Sequence, residues 1–138
     1  MLKVLLVEDN LINVKLVEEA LKKINHSISF EAVYDGKQAI AFLKKESPFT
    51  GLFTPDIVLL DKNMPIMDGF EFLSIIKQDY KFSKIPILMF TTSTNPLDIE
   101  NSYQLGANSY FVKPIEFNEF VSLLDKIISY WQDAKFSQ

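Results

Sequence analysis

Three kinds of reactive side chain close apolar runs in this sequence. KVLLV (3–7) runs straight into Glu8 and Asp9, DIVLLD (56–61) ends on Asp61, the run through Phe90 ends on Thr91, and the run before KP ends on Lys113. Three carboxylates, a hydroxyl and an ammonium are the groups with which a protein can hold a cation and an anion together. Each also has an ordinary use. An acidic pair after a strand can cap the next helix, an aspartate can close a turn, and Thr91, beside Thr92, Ser93 and Thr94, can satisfy a helix start. A lysine can simply be solvated. Capping, however, does not call for one acid at each of two adjacent strand ends with a lysine opposite them.

The elements that carry these residues follow from apolar periodicity and turn signals. KVLLV reads as a buried strand, and residues 11–25 as a helix with Val14, Val17, Leu21 and Ile24 on one face. ISFEAVY (28–34) is a second strand, closed by Asp35-Gly36, and residues 37–45 a second helix carrying Ala39, Ile40 and Leu43. After DIVLLD, Asp68 and Glu71 form a capping-box signal for a third helix to about Asp79. Ile85 to Phe90, entered through Pro86, is the fourth strand, and Asn95-Pro96 and Leu105-Gly106 bracket the fourth helix. Asn108 to Val112 is the fifth strand. A last helix from Pro114 to Gln132 carries Phe117, Phe120, Val121, Leu124, Ile128 and Trp131 as core stripe, with Leu123, Ile127 and Tyr130 as a second, outward stripe. The segment 45–55 is expected to be a mobile loop, and 133–138 a frayed tail after a domain spanning 1–132.

Strict alternation of five strands and five helices predicts an α/β fold, a doubly wound parallel sheet with helices on both faces. In such a sheet every strand ends on one edge, so Glu8, Asp9, Asp61, Thr91 and Lys113 would converge there.

Bulk composition narrows the chemistry. The 138 residues make one domain large enough for a core. No apolar run approaches the roughly 18 residues of a membrane span, and the acidic opening does not suit a signal peptide, so a cytoplasmic protein without membrane contact is expected. There is no cysteine and only His26, which excludes disulfides and thiolate or histidine-cluster metal sites. A formal charge of −4 disfavours nucleic acid as a partner, because that affinity rests on phosphate neutralisation.

The stretches VEDN, LLDKNMPIMDG, FTTS and ANSYFVKP, in this order and at these strand ends, resemble the response-regulator receiver domain of two-component signalling. The resemblance covers Leu2 to Trp131 and implies a flavodoxin-like sheet of order 2-1-3-4-5. TTSTN, SYQLGANSY and the closing Tyr130-Trp131 look like stand-alone regulators paired with bacterial phytochrome-type histidine kinases. By this resemblance Asp61 accepts a phosphoryl group from a phosphohistidine of a sensor histidine kinase or phosphotransfer protein. Glu8, Asp9, Asp61 and the Asn63 backbone carbonyl would hold Mg2+, which suits clustered carboxylates as a hard cation. Lys113 would meet a phosphate oxygen, Thr91 would bond the new phosphoryl group, and Tyr110 would swing inward as Thr91 moves. Lys113-Pro114 is expected cis. Asn63 and Ser93 would tune hydrolysis of the aspartyl phosphate, leaving room for water and making the mark transient. Such a protein catalyses only its own phosphorylation and dephosphorylation, and the second stripe of the last helix suggests a homodimer through helix 4, strand 5 and helix 5.

Two positions depart from the family pattern. Thr92 stands where a small residue is common, and Lys62 adds a cation beside the acceptor that either attracts phosphate or faces solvent. A haloacid-dehalogenase-type phosphatase is disfavoured by an acceptor after the third strand and by asparagine at 63. A nucleotide or flavin carrier is disfavoured by the acidic, glycine-free turn EDNLIN. A receiver-like interaction scaffold that is never phosphorylated is the remaining alternative.

Overall fold

Valine, isoleucine and leucine fill successive positions of the central strands, and neither face of the third strand meets water: Ile57, Val58, Leu59 and Leu60 are all fully buried. That pattern belongs to a parallel sheet covered on both sides. The structure, a computed structural model, describes residues 1–24 and 26–136. Its elements are β1 (Leu2–Val7), α1 (Leu11–Lys23), β2 (Ile28–Val33), α2 (Gly36–Leu43), β3 (Ile57–Leu60), α3 (Gly69–Gln78), β4 (Ile87–Thr91), α4 (Pro96–Gln104), β5 (Ser109–Val112) and α5 (Phe117–Phe136). The strands form one sheet in the order β2-β1-β3-β4-β5. Every pairing is parallel. The expected α/β, doubly wound, flavodoxin-like architecture is the one observed.

Alternate strand residues feed two cores. Leu2, Val4, Leu6, Leu59, Leu88 and Phe90 pack with α1 and α5. Leu5, Val7, Val58, Leu60, Ile87 and Met89 pack with α2 and α3. Helix starts are set by side-chain caps that satisfy otherwise unpaired amides. Asn10 accepts from Ile12 and Asn13, Asp35 from Gln38, Asp68 from Glu71, and Asn95 from Leu97. At the far end of α4, Gly106 takes φ +106°, a left-handed geometry that favours glycine.

Several boundaries differ from those read in the sequence. The fourth strand begins at Ile87, since Ile85 donates its N–H back to Phe82 in a turn. α5 begins at Phe117, after Pro114, because the Glu116 carboxylate accepts from the Asn118 and Glu119 amides. It then continues past Gln132 to Phe136, while Asn25, Ser137 and Gln138 lie outside the described residues. Segment 45–55 is tied down: Phe49 and Phe53 set their rings 5.4 and 5.6 Å from that of Phe42, and Lys45 Nζ donates to the Leu52 carbonyl at 2.7 Å. Ile127, expected to face outward, is 3 % exposed and belongs to the α1–α5 core. Lys113-Pro114 is trans, the ordinary isomer; among the described residues the cis bond is Ser47-Pro48.

One glycine connects fold to site. Gly69 opens α3 and donates to the Lys62 carbonyl at 2.9 Å, and a β-carbon there would collide with the Asp61 carbonyl oxygen. Gly69→Ala must therefore push the Asp61 backbone away or shift α3. It is expected to destabilise the protein by about 1–3 kcal/mol in urea unfolding; an unchanged midpoint would show that this close approach is not a constraint.

Candidate functional site

Parallel register brings the strand ends together. Val7 pairs with Leu60, so Glu8 and Asp61 emerge side by side, and the Asp61 amide donates to the Val7 carbonyl at 3.0 Å. On the other side of β3, Thr91 closes β4 and pairs with Val112, and the Lys113 amide donates to the Thr91 carbonyl at 2.8 Å. Glu8, Asp9 and Asp61 each offer a carboxylate oxygen, and these oxygens lie within 4.8 Å of one another. Lys113 Nζ meets Glu8 Oε1 at 2.6 Å, with the two side chains 8 % and 1 % exposed. The same ammonium lies 5.6 Å from the centroid of the Phe90 ring. Four of the five converging residues thus form one charged cluster, and Thr91, 2 % exposed, forms part of the same sheet edge.

The acidic pair is not spent on capping, since Asn10 caps α1. Glu8 instead accepts from the Asn10 amide at 3.3 Å while holding Lys113. Burial opposes the ionisation of Glu8, but the hydrogen bond and charge of Lys113 outweigh it and hold the carboxyl below its ordinary range. Burial pushes Asp61 up to about 6, with the Lys113 charge opposing the rise and Glu8 adding to it. Asp9 is raised as well, by its partial burial and by Glu8. The cluster carries more negative charge than Lys113 balances. Carboxylate oxygens this close, with one exposed flank at Asp9, are the donor set a hard divalent cation takes. Asn63 is exposed two positions beyond Asp61, and its carbonyl accepts no backbone hydrogen bond among the described residues.

The remaining residues singled out in the sequence are placed as follows. Thr91 is buried and its Oγ1 accepts weakly from the Ser93 amide at 3.4 Å, whereas Thr92 is exposed. Tyr110 pairs with Met89 and packs against the α2–α3 core, its hydroxyl donating to the Ser93 carbonyl at 2.9 Å. Lys62 is half-buried and paired: its Nζ binds Asp98 Oδ1 at 2.9 Å and lies 5.6 Å from the Phe70 centroid. Sequence reading missed Asp98. Its only local signal is an acid in the first turn of α4, which would serve the helix dipole anywhere, and nothing in the pattern links it to Lys62.

Known proteins agree with this geometry. The family model for the response regulator receiver domain matches residues 4–125. Response regulator Rcp1 of Synechocystis sp. is 35% identical over 131 residues, covering 95% of this chain and 89% of its own. A solved structure of the phosphorylated cyanobacterial phytochrome response regulator RcpA superposes with a TM-score of 0.88 at 35% identity, covering 96% of this chain and 94% of its own. The Mn2+-bound form of Rcp1 superposes with a TM-score of 0.85 at 34% identity, covering 95% of this chain and 94% of its own. A whole-length match of this kind, joined to the shared sheet order and the acidic cluster at its edge, places the chain in the response-regulator receiver family.

Proposed function

We propose that the protein is a phosphorylation switch in which Asp61 accepts a phosphoryl group from a phosphohistidine of a sensor histidine kinase or phosphotransfer protein. The observation that carries this reading is the cluster of Glu8, Asp9 and Asp61 within 4.8 Å, faced by the buried Lys113. An Asp61 oxygen attacks phosphorus, the P–O bond forms, and the P–N bond breaks with its electron pair leaving on the histidine ring. Glu8, Asp9, Asp61 and the Asn63 carbonyl would hold Mg2+, and the Mn2+-bound form of Rcp1 supports a divalent ion there. The cation supplies charge that offsets the carboxylates and the incoming phosphoryl oxygens.

The chain's own groups do the rest. Lys113, fixed by Glu8, presents a compact positive charge to a phosphoryl oxygen. Thr91 donates its hydroxyl to the phosphoryl group, and Tyr110 answers the movement of the β4–α4 segment. Asn63 and Ser93 leave room for a hydrolytic water, which makes the mark transient. The protein acts on no other substrate and serves as a signalling component in the cytoplasm, beside the catalytic part of its kinase. Its net charge of −4 suits protein partners better than nucleic acid. Among the described residues no helix is long and apolar enough to cross a membrane.

Two surfaces suit partners. Exposed Leu11, Ile12, Ile66, Leu97 and Ile115 all follow strand ends and therefore ring the edge that holds Asp61. Apolar side chains around an acidic cluster fit a docking helix bundle that delivers a phosphohistidine. Similarity to Rcp1 and RcpA favours a phytochrome-associated kinase as that partner. A groove of about 460 Å³ between β5 and α5, lined by Phe111, Leu123, Ile127, Tyr130 and Trp131, supports a homodimer through α4, β5 and α5.

Incubation with Mg2+ and acetyl phosphate should give a single labile phosphoryl adduct by intact mass, lost in Asp61→Asn and in chelator. No adduct would leave the scaffold reading. Asp61, with a folded value of about 6 against its ordinary 3.8, binds its proton more tightly in the folded chain. Its contribution to stability is therefore full below about pH 4 and lost as pH rises through about 6, whereas that of Glu8, whose value is lowered, is lost as pH falls. Removing the Asp61 charge at about pH 7.5 without metal is expected to stabilise the fold by about 1 kcal/mol, or about 3 °C in Tm. Mg2+ should raise the Tm of the wild type and not of Asp61→Asn. A variant less stable than wild type would contradict repulsion among the carboxylates.

A further inference from the structure

α4 differs from its neighbours in what anchors it. α1, α2 and α3 bury Val14 and Val17, Phe42 and Leu43, and Phe72, Leu73 and Ile76, whereas the buried residues of α4 are Asp98 and Ser102. Leu97 and Tyr103 of α4 face solvent. A helix that buries little apolar surface is held by its polar contacts and is readily displaced.

Those contacts converge on Asp98. One carboxylate oxygen takes the Lys62 ammonium at 2.9 Å, and the other accepts the Ser93 hydroxyl at 2.6 Å. The Ser102 hydroxyl donates to the Asp98 carbonyl at 2.6 Å. Ser93 in turn offers its carbonyl to the Tyr110 hydroxyl and its Oγ to the Asn95 amide, the N-cap of α4. A continuous path therefore runs from the residue after Asp61, through the first turn of α4, to the ring of Tyr110. The Lys62 and Asp98 side chains are 29 % and 12 % exposed, so the pair is partly shielded from water. The Ser93 hydroxyl and the Lys62 ammonium hold the Asp98 carboxyl below its ordinary range.

We infer that the Lys62–Asp98 ion pair is a latch that holds α4 and Tyr110 in the resting arrangement, and that phosphoryl charge on Asp61 opens it by drawing Lys62 away from Asp98. This rests on Asp61 being the phosphoacceptor. Phosphorylation brings roughly −1.5 to −2 charges to the residue adjacent to Lys62, in competition with the single charge of Asp98. Once the ammonium leaves, α4 loses its ion pair and keeps the hydrogen bond from the Ser93 hydroxyl to Asp98. Lys62 and Asp98 are thus positioning residues: they set how much of the phosphoryl binding energy goes into moving α4.

The test uses beryllofluoride, a phosphoryl mimic, with Mg2+ on the full chain. Asp98→Asn keeps an oxygen for Ser93 but releases Lys62, removing the work of opening the latch, so beryllofluoride should bind about five-fold more tightly than to wild type. Nuclear magnetic resonance signals of Tyr110 in unliganded Asp98→Asn should shift toward those of the beryllofluoride-bound wild type, a change that general loosening would not produce. In a Lys62→Met background Asp98→Asn should have no effect on affinity, while in Lys62→Arg its effect should return. Unchanged or weaker binding by Asp98→Asn, or an equal effect with and without Lys62, overturns the latch. Failure of wild type itself to bind beryllofluoride overturns the phosphoacceptor reading, and the latch with it.

Discussion

Carboxylates crowded at one end of a sheet repel each other, and here a buried lysine is set against them. Lys113 leaves the edge strand β5 and reaches Glu8 at the end of β1, so one ion pair of 2.6 Å spans the sheet edge above β3 and β4. Breaking such a buried pair typically costs about 3–5 kcal/mol because the surviving charge has no partner. Burial holds the Asp61 carboxyl up at about 6, against the charge of Lys113 and with that of Glu8 adding to the rise. The donor set of the cluster fits a hard divalent cation.

The fold serves this arrangement through register alone. Because β1, β3, β4 and β5 are parallel and end along one edge, the residue types that close or follow them meet without being neighbours in sequence. Capping is delegated to Asn10, Asp68 and Asn95, which frees Glu8, Asp9 and Asp61 for the cluster. The close approach of Gly69 to the Asp61 carbonyl fixes the height at which the acceptor emerges. In the loop between them, Ile66 takes φ 68° with its side chain exposed, a strained geometry for a β-branched residue. Strain and exposed apolar surface coincide where a partner would approach Asp61.

The strands and the site were legible because apolar runs with abrupt polar ends leave few choices: a parallel sheet forces Glu8, Asp61, Thr91 and Lys113 to one edge. What sequence pattern did not carry was contact between elements. Ile127 reads as outward on a narrow helical stripe, yet the apolar face of α5 is wide enough to bury it beside Leu124 and Ile128. The start of α5 depends on Glu116 folding its carboxylate onto two amides, a choice local composition does not dictate. Segment 45–55 looks like slack chain until Phe49 and Phe53 are seen against Phe42. Lys62 and Asp98 belong to no periodic pattern, and only the packing of α4 against the β3–α3 loop shows that they pair.

Asp61, its carboxyl raised by burial, is the proposed destination of the phosphoryl group. Borohydride reduces an aspartyl phosphate to homoserine, so trapping after transfer from a phosphorylated histidine kinase, followed by peptide mass mapping, reads that destination directly. The account requires homoserine at position 61 and aspartate unchanged at 9 and 56. Modification at any other residue, or stable phosphate on a serine, threonine or histidine with Asp61 intact, would contradict it.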